Sequence, residues 1–284
     1  MRRLQLLGTG VSDRLGFVLD REHAAEGADA LLAYLAERAD GWDLLDLQQL
    51  PEGSPAAVCA APSGLHELGY EQEVCPYVPL PASWEELTAR LGTRFRQNLR
   101  YYPRRMERDH AVELRRADAA SLTADVEAMV RLHQARWRSR GLPGALAGGR
   151  VRAFHQAAAP RLLERDWLRL YSLRLDGRQV ASLHCLHFRD AVGYYLGGMD
   201  PAWARLSPGT VLTAHALREA IAAGAREFDF LRGNEAYKQT WRPEQRINRR
   251  RVFWAPRGRG RLTPRLIGWE RRLERRLKAW ASKR

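Results

Sequence analysis

The chain has 284 residues with 47 basic and 33 acidic side chains, a formal net charge of +14. The surplus is local: residues 246–284 hold fifteen Lys/Arg against Glu270 and Glu274, a balance of +13, while residues 1–245 stand at +1. A uniformly basic nucleic-acid-coating protein is thereby disfavoured, and contact with a polyanion or an anionic membrane is expected to concentrate at the C-terminus.

In chain order, 4–7 and 17–20 read as short strands around the Gly-rich loop Gly8-Thr9-Gly10-Val11-Ser12-Asp13. A helix over about 24–38 ends at Gly41, and 42–47 reads as a buried strand. Residues 51–64 are loop-like and 70–80 extended. Ser83-Trp84-Glu85-Glu86 has the pattern of a capping box, and the helix it starts is expected to break or kink at Pro103, which lacks an amide donor. A strand at 111–116 and helices at 121–140 and 150–165 follow. Three strands then form a meander over 167–197, its first hairpin turning at Asp176-Gly177. Next come a helix from Pro208 to about 223, a strand at 226–231, a polar loop or short helix at 233–241 and a last strand near 248–254. The order strand, Gly-rich loop, helix, Gly, strand occurs around both Gly8 and Gly197, which suggests a divergent duplication.

The segment Gly197 to Thr210 carries the most chemistry. Ser207 is placed to cap a helix and Pro208 suits its first position. With Gly209, free amides, the helix dipole and Arg205 nearby, this start favours a phosphate or pyrophosphate; an ordinary helix cap is the plainer reading.

The order of elements resembles the GNAT acyltransferase fold, and 110–255 is similar to its FemAB/CelD-like branch with a BioF2-like acetyltransferase domain. The residues that carry the resemblance are Leu132-His133-x-x-Arg136-Trp137, Leu173-x-x-Asp176-Gly177-x-x-Val180-Ala181, Tyr195-x-x-Gly198-x-Asp200-Pro201, Ser207-Pro208-Gly209 and Phe228-Asp229-Phe230-Leu231-Arg232-Gly233-x-Glu235-x-Tyr237-Lys238-x-x-Trp241. Gly8–Asp13 also resembles the branch. Two departures stand out: proline replaces the first glycine of the usual pyrophosphate loop, and the chain starts almost on the Gly8–Asp13 region. The resemblance implies an α+β fold, a mostly antiparallel twisted sheet flanked by helices. It divides into an incomplete first GNAT-like half at 1–82, a helical connection at 83–109, an acyltransferase domain at 110–256 and a basic helix at 257–284.

The resemblance also implies an N-acyltransferase with acetyl-CoA as donor and no metal. An amine of an envelope or polysaccharide precursor, or of a small metabolite, would attack the thioester directly. Backbone donors aimed at the developing oxyanion would do most of the work, and the amides around Leu196, Gly197 and Gly198 are the candidates. Arg205, Ser207, Gly209 and Thr210 would hold the donor. Asp229, Glu235 and Tyr237 are the candidates for proton transfer, and Lys238 for a phosphate or acidic acceptor. His133, Trp137, His184 and Trp241 are the candidates for the acceptor pocket. Each has a structural alternative: Asp229 in solvent or paired with Arg232, Glu235 and Lys238 as a surface pair, the aromatics and histidines as packing. Rival readings are aminoacyl transfer from charged tRNA, as in the Fem peptidyltransferases, and a non-catalytic scaffold of an envelope-polymer system.

Residues 264–282 read as a basic amphipathic helix whose stripe is Leu266, Trp269, Leu273, Leu277 and Trp280. It can dock by that stripe, lie on an anionic membrane or touch RNA. A second basic run, Arg94 to Arg108, is interleaved with Phe95, Tyr101 and Tyr102. Cys59, Cys75 and Cys185 lack metal-type spacing and fit a reducing compartment. The apolar core of Met1–Gly8 is too short for a signal peptide. The expected place is the cytoplasm, with peripheral contact at the inner membrane face.

Overall fold

The structure, a computed structural model, describes the backbone of residues 1–282 and the side chains up to Glu274 together with Arg276. Its elements are β1 (Arg3–Gln5), α1 (Ala24–Glu37), β2 (Leu44–Pro51), α2 (Pro55–Val58), β3 (His66–Pro79), α3 (Trp84–Ala89), α4 (Thr93–Asp109), β4 (Val112–Arg116), α5 (Leu122–Arg138) and α6 (Gly149–Glu164). There follow β5 (Leu168–Leu175), β6 (Arg178–Phe188), β7 (Ala191–Met199), α7 (Pro208–Ala222), β8 (Glu227–Asp229), α8 (Ala236–Gln239), β9 (Glu244–Trp254) and α9 (Thr263–Ser282). The chain divides into two compact units, one of Met1–Cys75 with Gln245–Arg284, the other of Pro76–Glu244. Among the described residues no helix is long and apolar enough to cross a membrane.

The unit of Pro76–Glu244 has the expected mixed architecture, a mostly antiparallel sheet between helices. Its strands run in the order β3, β8, β7, β6, β5, β4, with β3 contributing Tyr77–Pro79. The meander β5–β6–β7 is antiparallel and β7–β8 parallel. Alternation sends Tyr171, Leu173, Leu183 and Cys185 into one cluster with α4 and α7, through Met106, Val211 and Leu217. Leu168, Leu170 and Leu196 pack instead with Val126 and Met129 of α5 and Ala159 of α6. The opposite sides of neighbouring residues follow from the two-residue period of a strand.

In the other unit β1 is parallel to β2, β2 antiparallel to β9, and β3 borders β9. Leu32 of α1 joins Leu45, Leu47 and Phe253 in its core, while Ile267 of α9 joins Leu44 and Val252. A charge network holds the helix side. Arg250 is 1% exposed and donates to both Asp46 oxygens at 2.7 and 3.0 Å and to Glu270 at 3.0 Å. Arg3 also bridges Asp46, at 3.5 Å, and Glu270.

Three expectations change. Residues 17–20 are not a strand: Phe17 packs against the core of α1 and β2 while Val18 is fully exposed, and the segment pairs with no strand among the described residues. Pro103 sits inside α4 without ending it, because Leu99 and Met106, buried on either side, anchor both halves of the helix. Ser207 does not cap α7 through its side chain: it lies at φ 50° and ψ 49°, outside the extended region a capping residue uses.

Candidate active site

The parallel ladder between β7 and β8 is short. It pairs Ala191–Gly193 with Glu227–Asp229 and ends there. β7 continues along β6 with a one-residue bulge, since His184 pairs Leu196 and Cys185 pairs Tyr194, which makes Tyr195 the extra residue. After β8 the chain turns sharply: Asp229 Oδ1 accepts the Leu231 amide at 2.7 Å, and Leu231 takes a left-handed φ of 55°. The two strands thus part beyond Gly193.

Aromatic side chains gather where they part. The Tyr194 ring lies 5.9 Å from Phe230 and 6.1 Å from Tyr237, and Phe230 lies 6.4 Å from Tyr237. The Tyr194 and Tyr237 hydroxyls share a hydrogen bond, and Arg136 of α5 donates to the Tyr194 oxygen. The Arg136 guanidinium stands 5.8 Å from the Tyr237 ring centre. Burial raises both phenols, so both are protonated at neutral pH.

The loop after β8 is built by two residues expected in catalysis. Asp229, 3% exposed, supports the turn just described. Lys238, also 3% exposed, donates to the carbonyls of Arg232 at 2.7 Å and Gly233 at 3.1 Å, and pairs with Glu235 at 2.8 Å. Three partners match the three protons of an ammonium, so Lys238 clamps the loop and is not offered to a phosphate. Gly233 takes a φ of 103°, a conformation that a residue with a Cβ rarely adopts. Glu235 keeps half of its side chain in solvent.

The expected donor site is poorer in donors than its sequence suggests. The Ser207 carbonyl accepts the Thr210 and Val211 amides at 3.0 and 3.2 Å, and the Ser207 amide is bonded to Ala204. Pro208 has no N–H, so among the described residues the Gly209 amide is the first-turn donor left over. Arg205 is exposed and Leu196 packs with the cluster under α5 and α6. Gly197 and Gly198 have packing reasons: a Cβ would collide with the Tyr194 hydroxyl at the first and with the His133 amide of α5 at the second.

His133 and Trp137 lie together, rings 5.9 Å apart, under Gly144, whose Cβ would come within 2.8 Å of both. His184 stands 5.8 Å from His155, and both are 5.5 Å from Tyr195. Burial depresses all three histidines, His133 to about 4 and His184 to about 3. Among the described residues, His133 Nδ1, His155 Nε2 and both His184 nitrogens have no partner. Trp241 packs edge-on against Phe95 at 4.9 Å, within the core and not in a pocket wall. The structure therefore assembles Tyr237, Glu235 and Lys238 and adds Tyr194 and Arg136. Arg136 was legible three residues after His133 on one helical face, and Tyr194 two after buried Val192 on one strand face.

A family model described as an acetyltransferase (GNAT) domain matches residues 93–239, more than half of the chain. The chain belongs to the GNAT acetyltransferase family. It is similar in structure to FemX, at 12% identity and a TM-score of 0.58 over 83% of this chain and 78% of that one. The C-terminal domain of a putative lysylphosphatidylglycerol synthetase from Agrobacterium fabrum gives 14% identity and 0.58, over 82% of this chain and 74% of that one. L-PGS from Bacillus licheniformis gives 13% and 0.53, over 83% and 76%. At such identities the likeness is one of fold. No curated protein matches the sequence. The GNAT domain supports acyl transfer from an acyl donor to an amine.

Proposed function

We propose that this GNAT member, of the FemAB/CelD-like branch with a BioF2-like domain, is a cytoplasmic N-acetyltransferase. It takes acetyl from acetyl-CoA to an amine of an envelope or polysaccharide precursor or of a small metabolite. The observation that carries the reading is the Tyr194–Tyr237–Arg136 set placed where β7 parts from β8. The amine nitrogen attacks the thioester carbonyl, a C–N bond forms and the C–S bond breaks. Amides around Leu196–Gly198, on the stretch of β7 beyond the parallel ladder, are assigned the oxyanion. Tyr194 gives its proton to the leaving thiolate and is reprotonated through Tyr237, and half-exposed Glu235 takes the amine proton directly or through water. Gly209, Thr210 and Arg205 are assigned the donor's phosphates. Residues 1–82 are assigned to a partial GNAT-like half, joined through 83–109 to the domain at 110–256, with 257–284 appended.

A second reading, aminoacyl transfer from charged tRNA, is favoured by one feature. Arg100, Arg104, Arg105, Arg108, Tyr101 and Gln97 of α4 line a surface cavity of about 420 Å³, a face fit for a polyanion. A rise in melting temperature with acetyl-CoA supports the first reading. A rise with charged tRNA only, falling steeply with salt, replaces it with the second. A response to neither contradicts both and leaves the scaffold.

A further inference from the structure

The basic helix α9 docks by a different face from the one its apolar stripe suggests. At 3.6 residues per turn, Ile267, Glu270, Arg271 and Glu274 share one side and Arg265, Trp269, Arg272, Leu273 and Arg276 the other. The first side faces its own unit: Ile267 is fully buried, the Arg271 guanidinium stacks 4.2 Å from the Tyr70 ring, and both carboxylates turn to Arg250, Glu270 at 3.0 Å and Glu274 at 3.9 Å. Glu270 is thus used internally, while Glu274, half exposed, leans to the same side. The other side keeps Trp269 62% and Leu273 42% exposed, and Leu262, just before the helix, 50%. Arg265, Arg272 and Arg276 are exposed beside them, with no acid on this side to oppose them. Of the expected stripe, Leu266 is partly buried, and the side chains of Leu277 and Trp280 lie outside the described residues.

We propose that this face of α9 is a docking surface for an anionic phospholipid bilayer. An exposed tryptophan and leucines next to a row of arginines suit the boundary of headgroups and acyl chains: the apolar groups enter it and the guanidiniums reach phosphate. Each basic residue near a negative leaflet adds attraction that salt screens. A nucleic acid would use the arginines but gives Leu262 and Leu273 nothing to bury against. The helix lies on the surface and does not cross it. Both acids lie on the Arg250 side of the helix, which leaves the outer face unopposed, and the linear sequence hides it, because Glu270 directly follows Trp269 and Glu274 directly follows Leu273.

The test is co-sedimentation of the full chain with vesicles of phosphatidylglycerol mixed into phosphatidylcholine, against vesicles of phosphatidylcholine alone. Binding is expected on the first and not the second, and is expected to weaken as salt rises. Trp269→Ser with Leu273→Ser is expected to weaken it about tenfold or more, Trp269→Phe to keep it, and Arg265→Glu with Arg272→Glu to abolish it. None of these touches Ile267, Glu270 or Arg250, and unchanged thermal melts check that the variants fold. Absence of binding to phosphatidylglycerol vesicles overturns the proposal. So does equal binding to both vesicles, binding that survives Trp269→Ser with Leu273→Ser, or loss of vesicle binding when unrelated tRNA is retained by the same face.

Discussion

Arg250 and His184 are both buried polar residues, and the two units treat them in opposite ways. Arg250 meets Asp46 through a two-pronged contact and adds Glu270, so a charge that burial would penalise by several kcal/mol is matched at close range. His184 has neither ring nitrogen bonded among the described residues, and Ser172 and Ser182, paired across β5 and β6, have hydroxyls in the same condition. A buried group without a partner costs about 1–3 kcal/mol. The unit of Met1–Cys75 and Gln245–Arg284 thus uses its charge to fasten a helix. The GNAT unit carries unmatched polar groups on the α5 and α6 side of its sheet, where a bound molecule or ordered water has something to satisfy.

The two units should respond to substitution with different force. The largest effect is expected for Asp46→Ala, which strands a buried guanidinium and should cost about 3–5 kcal/mol in denaturant unfolding. A loss under 1 kcal/mol would mean that Glu270 alone holds Arg250. Gly198→Ala comes next: the new methyl meets the α5 backbone at the His133 amide, and overpacking of this kind costs about 1–3 kcal/mol. Calorimetry should show a lowered melting temperature.

Acid should weaken the GNAT unit through its histidines. His133, His155 and His184 have folded pKa values below the ordinary 6.5, so the unfolded chain binds more protons below that pH. Their contribution is complete above about 6.5 and is lost as pH falls towards the folded values, about 4 for His133 and about 3 for His184. Melting temperature measured down this range should drop, and His184→Leu should flatten the drop while leaving stability at neutral pH equal or higher. A lower melting temperature at neutral pH would show that the imidazole has a partner in solution. The smallest effect is expected for Asp229→Asn. An amide oxygen can still accept the Leu231 N–H, so stability should change by under about 1 kcal/mol, with turnover kept. A large loss of turnover alone would return Asp229 to the chemistry.

Much of this was legible in the sequence because it rests on period and punctuation. The meander, its Asp176-Gly177 turn, the paired helices before it and the start of α7 at Pro208 all lie close to their expected places. Pro103 was misleading because packing of Leu99 and Met106 outweighs the loss of one amide donor. The cap expected at Ser207 differs for a related reason. Ser, Pro and Gly in that order suit a helix start, but the backbone angle at Ser207 comes from the turn Pro201–Leu206 before it. Arg136 stands in the Leu132–Trp137 motif and Tyr194 on the strand face of buried Val192, but each also has an ordinary local role, one on a basic helix and one in an apolar strand. Their shared hydrogen bond joins residues 58 positions apart, and no local pattern shows it.

The central claim is that acyl transfer runs at the tyrosine pair between β7 and β8. Release of coenzyme A thiol from acetyl-CoA, followed in the presence of an amine panel with wild type and Tyr194→Phe side by side, tests it most directly. The account predicts amine-dependent thiol release by the wild type, and a fall of about 10²-fold or more in kcat for a variant that folds and still binds acetyl-CoA, as expected for loss of a general acid. Equal turnover by the folded Tyr194→Phe protein would contradict it.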